Sequence, residues 1–437
     1  MRKNLGKVWG AAAITLAVTL ALAGCSKTTP STTTAPPAPA PSTTAAPTTT
    51  AAPTTTGAPT SSAAPLTILF GSSGDAETNA IKAAAAAWTA KSGIPVTVTP
   101  ATNMDQELAQ GFASGKPADV FYISPGALAA NADAGNLWAY GDMLPNKADF
   151  YPALVADYTY KGKFYAAPKD YGTLQLIIND DLWSKAGLTA ADYPKTWDDL
   201  HNVAKKLTSG NVTGLVIGGQ YERLGAFMVA NGSNLMSVDQ TKVTATDQSN
   251  VDALNFAKSM LADGSMKFAA DISTGWGGEA FIKQLCAMTI EGNWISGAMK
   301  ADAPNVKFTV VPMPASPTTG KQGTLEFSNG WGIAADSPNQ QGALSLVEFL
   351  TTTEQQIAFA KAFGPTPSLQ SGTAQFNSEF PAMKPFADGV AYAQGVPTIK
   401  GASTVLGDLN NQLAQLAKSD PAAILASTQT ELQALLG

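Results

Sequence analysis

The chain has 437 residues, with 27 Lys+Arg against 33 Asp+Glu, and only 14% of it is charged. That length is a soft prior for two or three domains, and 45% hydrophobic residues can fill real cores. An acidic balance with no basic block argues against nucleic acid as a partner. One histidine (His201) and two cysteines (Cys25, Cys286) rule out a zinc finger, a disulfide framework or a haem site and leave little room for His-dependent catalysis.

From the N-terminus, Arg2, Lys3 and Lys7 precede an apolar run from Val8 to Ala23, then Gly24 and Cys25. Charged, apolar and small-residue segments in that order predict a secretory signal over 1–24. The run is short and Ala/Thr-rich for a membrane span. The tetrapeptide Leu22-Ala23-Gly24-Cys25 resembles a bacterial lipobox, which implies acylation of Cys25 and anchoring of the mature chain to the outer face of the cell membrane. Several acyl chains on one residue supply the multi-chain attachment that stable anchoring needs. In Ser26–Pro65 all residues but Lys27 and Gly57 are Ser, Thr, Ala or Pro. Such a tract buries almost nothing and is expected to form a disordered tether biased to polyproline II, reaching on the order of 120 Å when extended. Residues 1–65 hold four basic residues and no acidic one, so the remainder is more acidic than the whole chain.

Beyond residue 65, strand and helix patterns alternate. Strands are expected at Leu66–Phe70, Ile94–Val98, Asp119–Ile123, Leu174–Ile178, Leu215–Ile217, Leu285–Ile290 and Phe308–Val311. Helices are expected at Ala80–Ala90, Asp105–Ser114, Asn179–Gly187, Thr196–Leu207, Gln341–Leu350, Thr353–Phe363 and Thr404–Ala417. The helix after Thr196 carries a capping pattern, Thr196-x-x-Asp199, with Leu200, Val203, Ala204 and Leu207 on one face. The alternation predicts α/β layers with a largely parallel sheet and no internal repeat.

Several segments then coincide, in order and spacing, with one family: Ala113-Ser114-Gly115 with Pro117–Phe121, Phe150–Leu154, Tyr160–Asn179, Lys185–Leu188, Pro194–Leu200, Ala287–Trp294 and Gly330–Ile333. Over nearly the whole folded region the chain resembles the maltose-binding-protein-like extracellular solute-binding proteins of carbohydrate ABC importers. The resemblance implies a two-lobed periplasmic-binding-protein-like (type II) α/β fold with three hinge crossings and a central ligand cleft. Lobe one would be 66–172 plus 330–367 and lobe two 173–329 plus 368–437, with crossings near Gly172-Thr173, Asn329-Gly330 and Gly364-Pro365. It also implies a non-enzymatic monomer that binds a di- or oligosaccharide, uses no cofactor and no metal, and delivers its ligand to the transmembrane subunits of an ABC permease.

A pyranose presents an apolar face and a rim of hydroxyls, which call for aromatic rings and planar polar groups. The match places Ser72, Ser73, Ser124, Lys169, Asp170, Tyr171, Gly172, Gln220, Tyr221, Glu222, Arg223, Glu291, Trp294, Asn329 and Trp331 near the cleft. Trp276 is a further candidate because Gly275, Gly277 and Gly278 leave its ring exposed. Plainer roles stand beside these. Trp294 could fill the core, Trp331 could pack the crossing, and Asp119 could cap or pack a strand start. Glu222 could pair with Arg223, and Lys169 with Asp170. His201 is expected to be solvated and Cys286 a small buried hydrophobe. Two other functions remain open: a binding protein for a glycerol phosphodiester or an opine, and a glycosidase using two of Asp170, Glu222 and Glu291.

Overall fold

The computed structural model describes residues 64–437. The signal segment, Cys25 and nearly all of the tether lie outside them. Within these residues the chain builds two large sheets, each with its own core, and a two-stranded hairpin, Thr159–Tyr160 with Lys163–Phe164. The first has five strands in the order Val96–Ala101, Leu66–Gly71, Val120–Ile123, Gly330–Ile333, Ala166–Pro168. The second has seven: Ala393–Gln394, Thr324–Phe327, Gly172–Asn179, Cys286–Gly292, Thr213–Ile217 and Met266–Phe268 in order, with Phe308–Val311 also paired to Gly172–Asn179.

The expectation of a largely parallel sheet needs correction, because both sheets are mixed. Gly330–Ile333 runs antiparallel to both its neighbours, and Gly172–Asn179 is antiparallel to every strand it touches. These strands enter from the opposite sheet rather than through a helix of their own sheet, and an apolar run carries no record of direction. Boundaries also shift. The second strand starts at Val96 rather than Ile94, since Pro95 has no N–H to give the ladder; its carbonyl instead accepts from Leu66 N at 2.8 Å. The first helix begins at Asp75 rather than Ala80, with Asp75 and Glu77 in its first turn, where the helix dipole favours acids. The last of the helices expected above runs Ala402–Leu413. The Thr196–Asp199 capping box forms as expected: Asp199 N donates to Thr196 Oγ1 at 3.2 Å, and Thr196 N to Asp199 Oδ2 at 2.9 Å.

All eight residues of Gly172–Asn179 are buried. Leu174, Leu176 and Ile178 face one cluster with Leu215, Leu224 and Leu409, while Ile177 faces another with Val216, Phe281 and Phe386. That is the period-two alternation of a strand covered on both faces. The first sheet's core gathers Phe70, Tyr122, Phe164, Trp331 and Val347. The chain passes between sheets at 169–171 and at 328–329. A third passage lies between Leu369, in the first core, and Phe386, on the second sheet. Two segments lying side by side thus join the sheets: Lys169 N donates to Asn329 O at 2.7 Å and Asn329 N to Asp170 Oδ1 at 3.3 Å. No helix of the described residues is long and apolar enough to cross a membrane.

Candidate functional site

Two cavities adjoin the crossings between the lobes, beside a wider interlobe groove of about 820 Å³. One, of about 280 Å³, is walled by Ser72, Ser73 and Glu77 from the first lobe, by Lys169, Asp170 and Asn329 at the crossings, and by Asn293 and Trp294 from the second. The other, of about 340 Å³, has Ser124 and Asp157 on one side and Glu222, Phe327, Leu406 and Asn410 on the other. Trp294 lines the first and Phe327 the second, and their rings meet edge to face at 5.4 Å. A larger depression of about 610 Å³ opens on the outside of the first lobe beside Trp88 and Phe349. Only one lobe walls it, so the paired interlobe cavities are the candidate site.

The floor of the smaller cavity is a buried ion triad. Lys169 Nζ lies 2.9 Å from Glu77 Oε1 and 2.7 Å from Asp170 Oδ2, with the Tyr122 and Phe363 rings 4.8 and 5.3 Å away. Ser73 donates to Glu77 Oε2 through both N and Oγ at 2.7 Å. Burial works to raise the Glu77 carboxyl, but the Lys169 charge and the Ser73 bonds outweigh it and hold the group below its usual range. Burial lifts Asp170 above its usual range, against the pull of Lys169. The anticipated Lys169–Asp170 pair is therefore present. Glu77, its second partner, carries no signal in the sequence that would have singled it out.

The cavity's aromatic wall is fixed from behind. The Trp294 indole folds over Gly292, where an added Cβ would collide with the ring. Its Nε1 donates to Glu291 Oε2 at 3.2 Å, and the same oxygen receives Arg223 Nη2 at 2.6 Å. The Arg223 guanidinium sits 5.4 Å from the indole centre. Arg223 thus pairs with Glu291; Glu222 offers it only a backbone oxygen at 3.3 Å and instead accepts from Asn410 Nδ2 at 3.0 Å. Trp294 stays partly exposed while Glu291 is fully buried, so the indole is the group presented and the carboxylate its support.

Other anticipated residues fall differently. Ser72, Ser73, Asp170, Asn329 and Trp294 gather on the smaller cavity, and Ser124 and Glu222 on the larger. Gly172 backs the wall; a Cβ there would lie 3.2 Å from Asn293 Oδ1 and 3.5 Å from Trp294 Cζ3. Gln220 is exposed at the start of helix Tyr221–Ala230. The four aromatic assignments other than Trp294 are corrected. Trp331 is fully buried in the first core, its ring 4.8 Å from Tyr122, because both faces of its central strand are covered. Tyr221 is fully buried in the second core, with its hydroxyl on Asn234. Tyr171 is 2% exposed and spends its hydroxyl on Glu326. Trp276 is half-buried against the Phe281 cluster, lying over Gly278 away from both cavities. Of the plainer readings, Asp119 is structural, accepting from Thr67 N and Oγ1 and from Ser337 Oγ. Burial pushes the Cys286 thiol up, so it is an inert hydrophobe. His201 is not simply solvated: its Nε2 lies 2.7 Å from Asp263 Oδ2.

Residues 71–357 match the model of the bacterial extracellular solute-binding protein family, and the chain belongs to that family. An ABC transporter extracellular-binding protein of Pyrococcus horikoshii is 25% identical over 360 residues, covering 74% of this chain and 76% of that one. The diacetylchitobiose binding protein DasA of Streptomyces coelicolor is 25% identical over 281 residues, 61% of this chain and 64% of its own. Among solved structures, the Thermus thermophilus maltotriose binding protein bound with maltotriose superposes with TM-score 0.74 at 23% identity, covering 85% of this chain and 100% of that one. UgpB from Mycobacterium tuberculosis, in complex with glycerophosphocholine, has the same TM-score at 17% identity, covering 85% and 98%. The fold is the two-lobed one of these binding proteins. Family membership makes the chain a solute-binding component of an ABC transporter that works outside the cytoplasm.

Proposed function

We propose that the interlobe cleft captures an uncharged di- or oligosaccharide and presents it to the membrane subunits of an ABC importer. The observation that carries this is the state of Lys169, which lines the smaller cavity, and of Arg223, which stands behind its Trp294 wall. Lys169 is held by Glu77 and Asp170, and Arg223 by Glu291. A phosphate ligand needs free converging donors, and both cations are already neutralised. A neutral ring with hydroxyls fits an indole wall flanked by Ser72, Ser73, Asn293 and Asn329. That argues against the glycerol phosphodiester alternative, even though one structural neighbour binds such a compound. The carboxylates named for a glycosidase do not converge: Asp170 lines one cavity, Glu222 the other, and Glu291 is buried. The lobes follow the two sheets, and rotation at the crossings closes them on the ligand as one monomeric unit. Incubating the protein with maltotriose and analysing the released sugar tests the binding role. The sugar is expected back unchanged, and cleavage by purified protein would refute it.

The same reading attaches the chain to the cell membrane through Cys25, after removal of 1–24, with Ser26–Pro65 as spacer. Cys25→Ala is expected to move the protein from the detergent phase to the aqueous phase or leave it unprocessed. Unchanged partitioning, with no lipid on the mature N-terminus, would count against the anchor.

A further inference from the structure

The lobes also touch outside the smaller cavity. At the rim, Lys400 Nζ reaches Asp133 Oδ2 at 3.0 Å, an exposed pair that salt screens. Deeper in, two carboxyls face each other across the lobes. Asp157 ends helix Pro152–Asp157 of the first lobe, and Glu326 lies in strand Thr324–Phe327 of the second. Both line the 340 Å³ cavity and the interlobe groove beside it. They close on one glycine: a Cβ at Gly395 would lie 3.3 Å from Glu326 Oε1 and 3.6 Å from Asp157 Oδ1. The two carboxyls are therefore within ~7 Å of each other, close enough for like charges to interact strongly.

Among the described residues, the groups around them supply one hydrogen bond, from Tyr171 to Glu326, and no ion pair. The Tyr171 hydroxyl donates to Glu326 Oε2, and the Tyr158 ring next to Asp157 is buried. Glu222 shares the cavity, and Asp239, Lys321 and Tyr392 line the groove. Neither carboxylate has an ion-pair partner among the described residues. Burial, with Glu326 adding to it, pushes Asp157 up to about 8. Burial also raises Glu326, against the Tyr171 bond.

We propose that Asp157 and Glu326 form a proton-linked latch between the lobes. A proton held on the pair favours the closed arrangement, and its loss drives the lobes apart. This rests on the two-lobe closure described above. The sign follows from proton counting. A carboxyl raised to about 8 when the lobes are together, and near its ordinary value of about 4 when they part, binds more protons in the closed form between those limits. Closure is then favoured at the acid end and weakens by up to tenfold per pH unit as pH rises toward about 8, with no further change above it.

Carbon-13 titration of the side-chain carboxyls in the full-length protein reads the proton directly. One member of the pair is expected to titrate near 8; both titrating below pH 5 would overturn the latch. Spin labels at Lys116→Cys and Lys206→Cys, one in each lobe, in a Cys25→Ala background, then report the interlobe distance at pH 5.5 and 9. The distance should lengthen at pH 9 in that protein and stay short when Asp157→Asn is added. Glu326→Gln should behave the same way and stands in if the first variant folds poorly. A high titration with no pH-dependent distance also overturns the latch. If saturating maltotriose still shortens the distance in that case, the two-lobe closure stands without it.

Discussion

Lys169→Met will cost about 3–5 kcal/mol of folding stability, the range for breaking a buried ion pair by removing one partner. The methionine keeps most of the side-chain volume against the Tyr122 and Phe363 rings, so packing contributes little to the loss. What remains is Glu77, 2% exposed, and Asp170, facing each other without the cation between them. The loss should shrink in acid. Lys169, together with the Ser73 bonds, holds Glu77 below its usual range, so without the lysine both carboxyls take up protons more readily as pH falls and the repulsion fades. Urea unfolding at pH 7.5 and pH 4.5 checks both parts. A loss below about 1 kcal/mol at pH 7.5 would mean that the triad is surface-like and that Lys169 could be free to meet an anion.

Trp331→Ala and Trp294→Ala will separate a core tryptophan from a binding one. Trp331 is fully buried beside Tyr122, and its loss should remove about 3–5 kcal/mol from the unliganded fold. Whatever fraction stays folded should bind normally, because the indole reaches no cavity. Trp294 is partly exposed on the smaller cavity and steadied by Glu291. Its loss should cost about 2 kcal/mol or more in ligand affinity, roughly thirtyfold, with a smaller change in apo stability. Apo unfolding and ligand titration of both variants decide the assignment. If Trp294→Ala collapses the apo fold while its folded fraction binds normally, the aromatic wall is misassigned.

These two tryptophans show where the sequence is legible. Both sit among glycines at a strand end or in a short strand, and both match the family pattern. Trp331 lies in Gly330-Trp331-Gly332-Ile333, whose four residues are all buried because the strand is central. Alternation cannot say which face of such a strand looks toward a cleft. Trp294 follows Gly292, and that glycine is what lets the indole fold back against the wall. Local chemistry was readable elsewhere: the Thr196–Asp199 box and the apolar face of its helix need only residues within one or two turns. Long-range pairings were not. Glu77 looks like an ordinary acid in a helix's first turn, and its role depends on Lys169, 92 residues away. Asp157 and Glu326 meet only because two lobes come together, and nothing near either residue marks it. Strand direction was lost for the same reason, since the chain reaches Gly172–Asn179 by crossing from another sheet.

The most direct test of the central claim is calorimetric titration of the purified protein with neutral oligosaccharides, maltotriose and diacetylchitobiose among them, alongside glycerophosphocholine. Thermal unfolding in the presence of each should follow the titration, with about 2.7 kcal/mol of stabilisation at a hundred times the dissociation constant. The account predicts saturable binding of a neutral sugar, weakened by Trp294→Ala, and no response to the phosphodiester. Saturable binding of glycerophosphocholine, with no neutral sugar bound, would contradict it, because it would require Lys169 or Arg223 to leave the carboxylates that hold them.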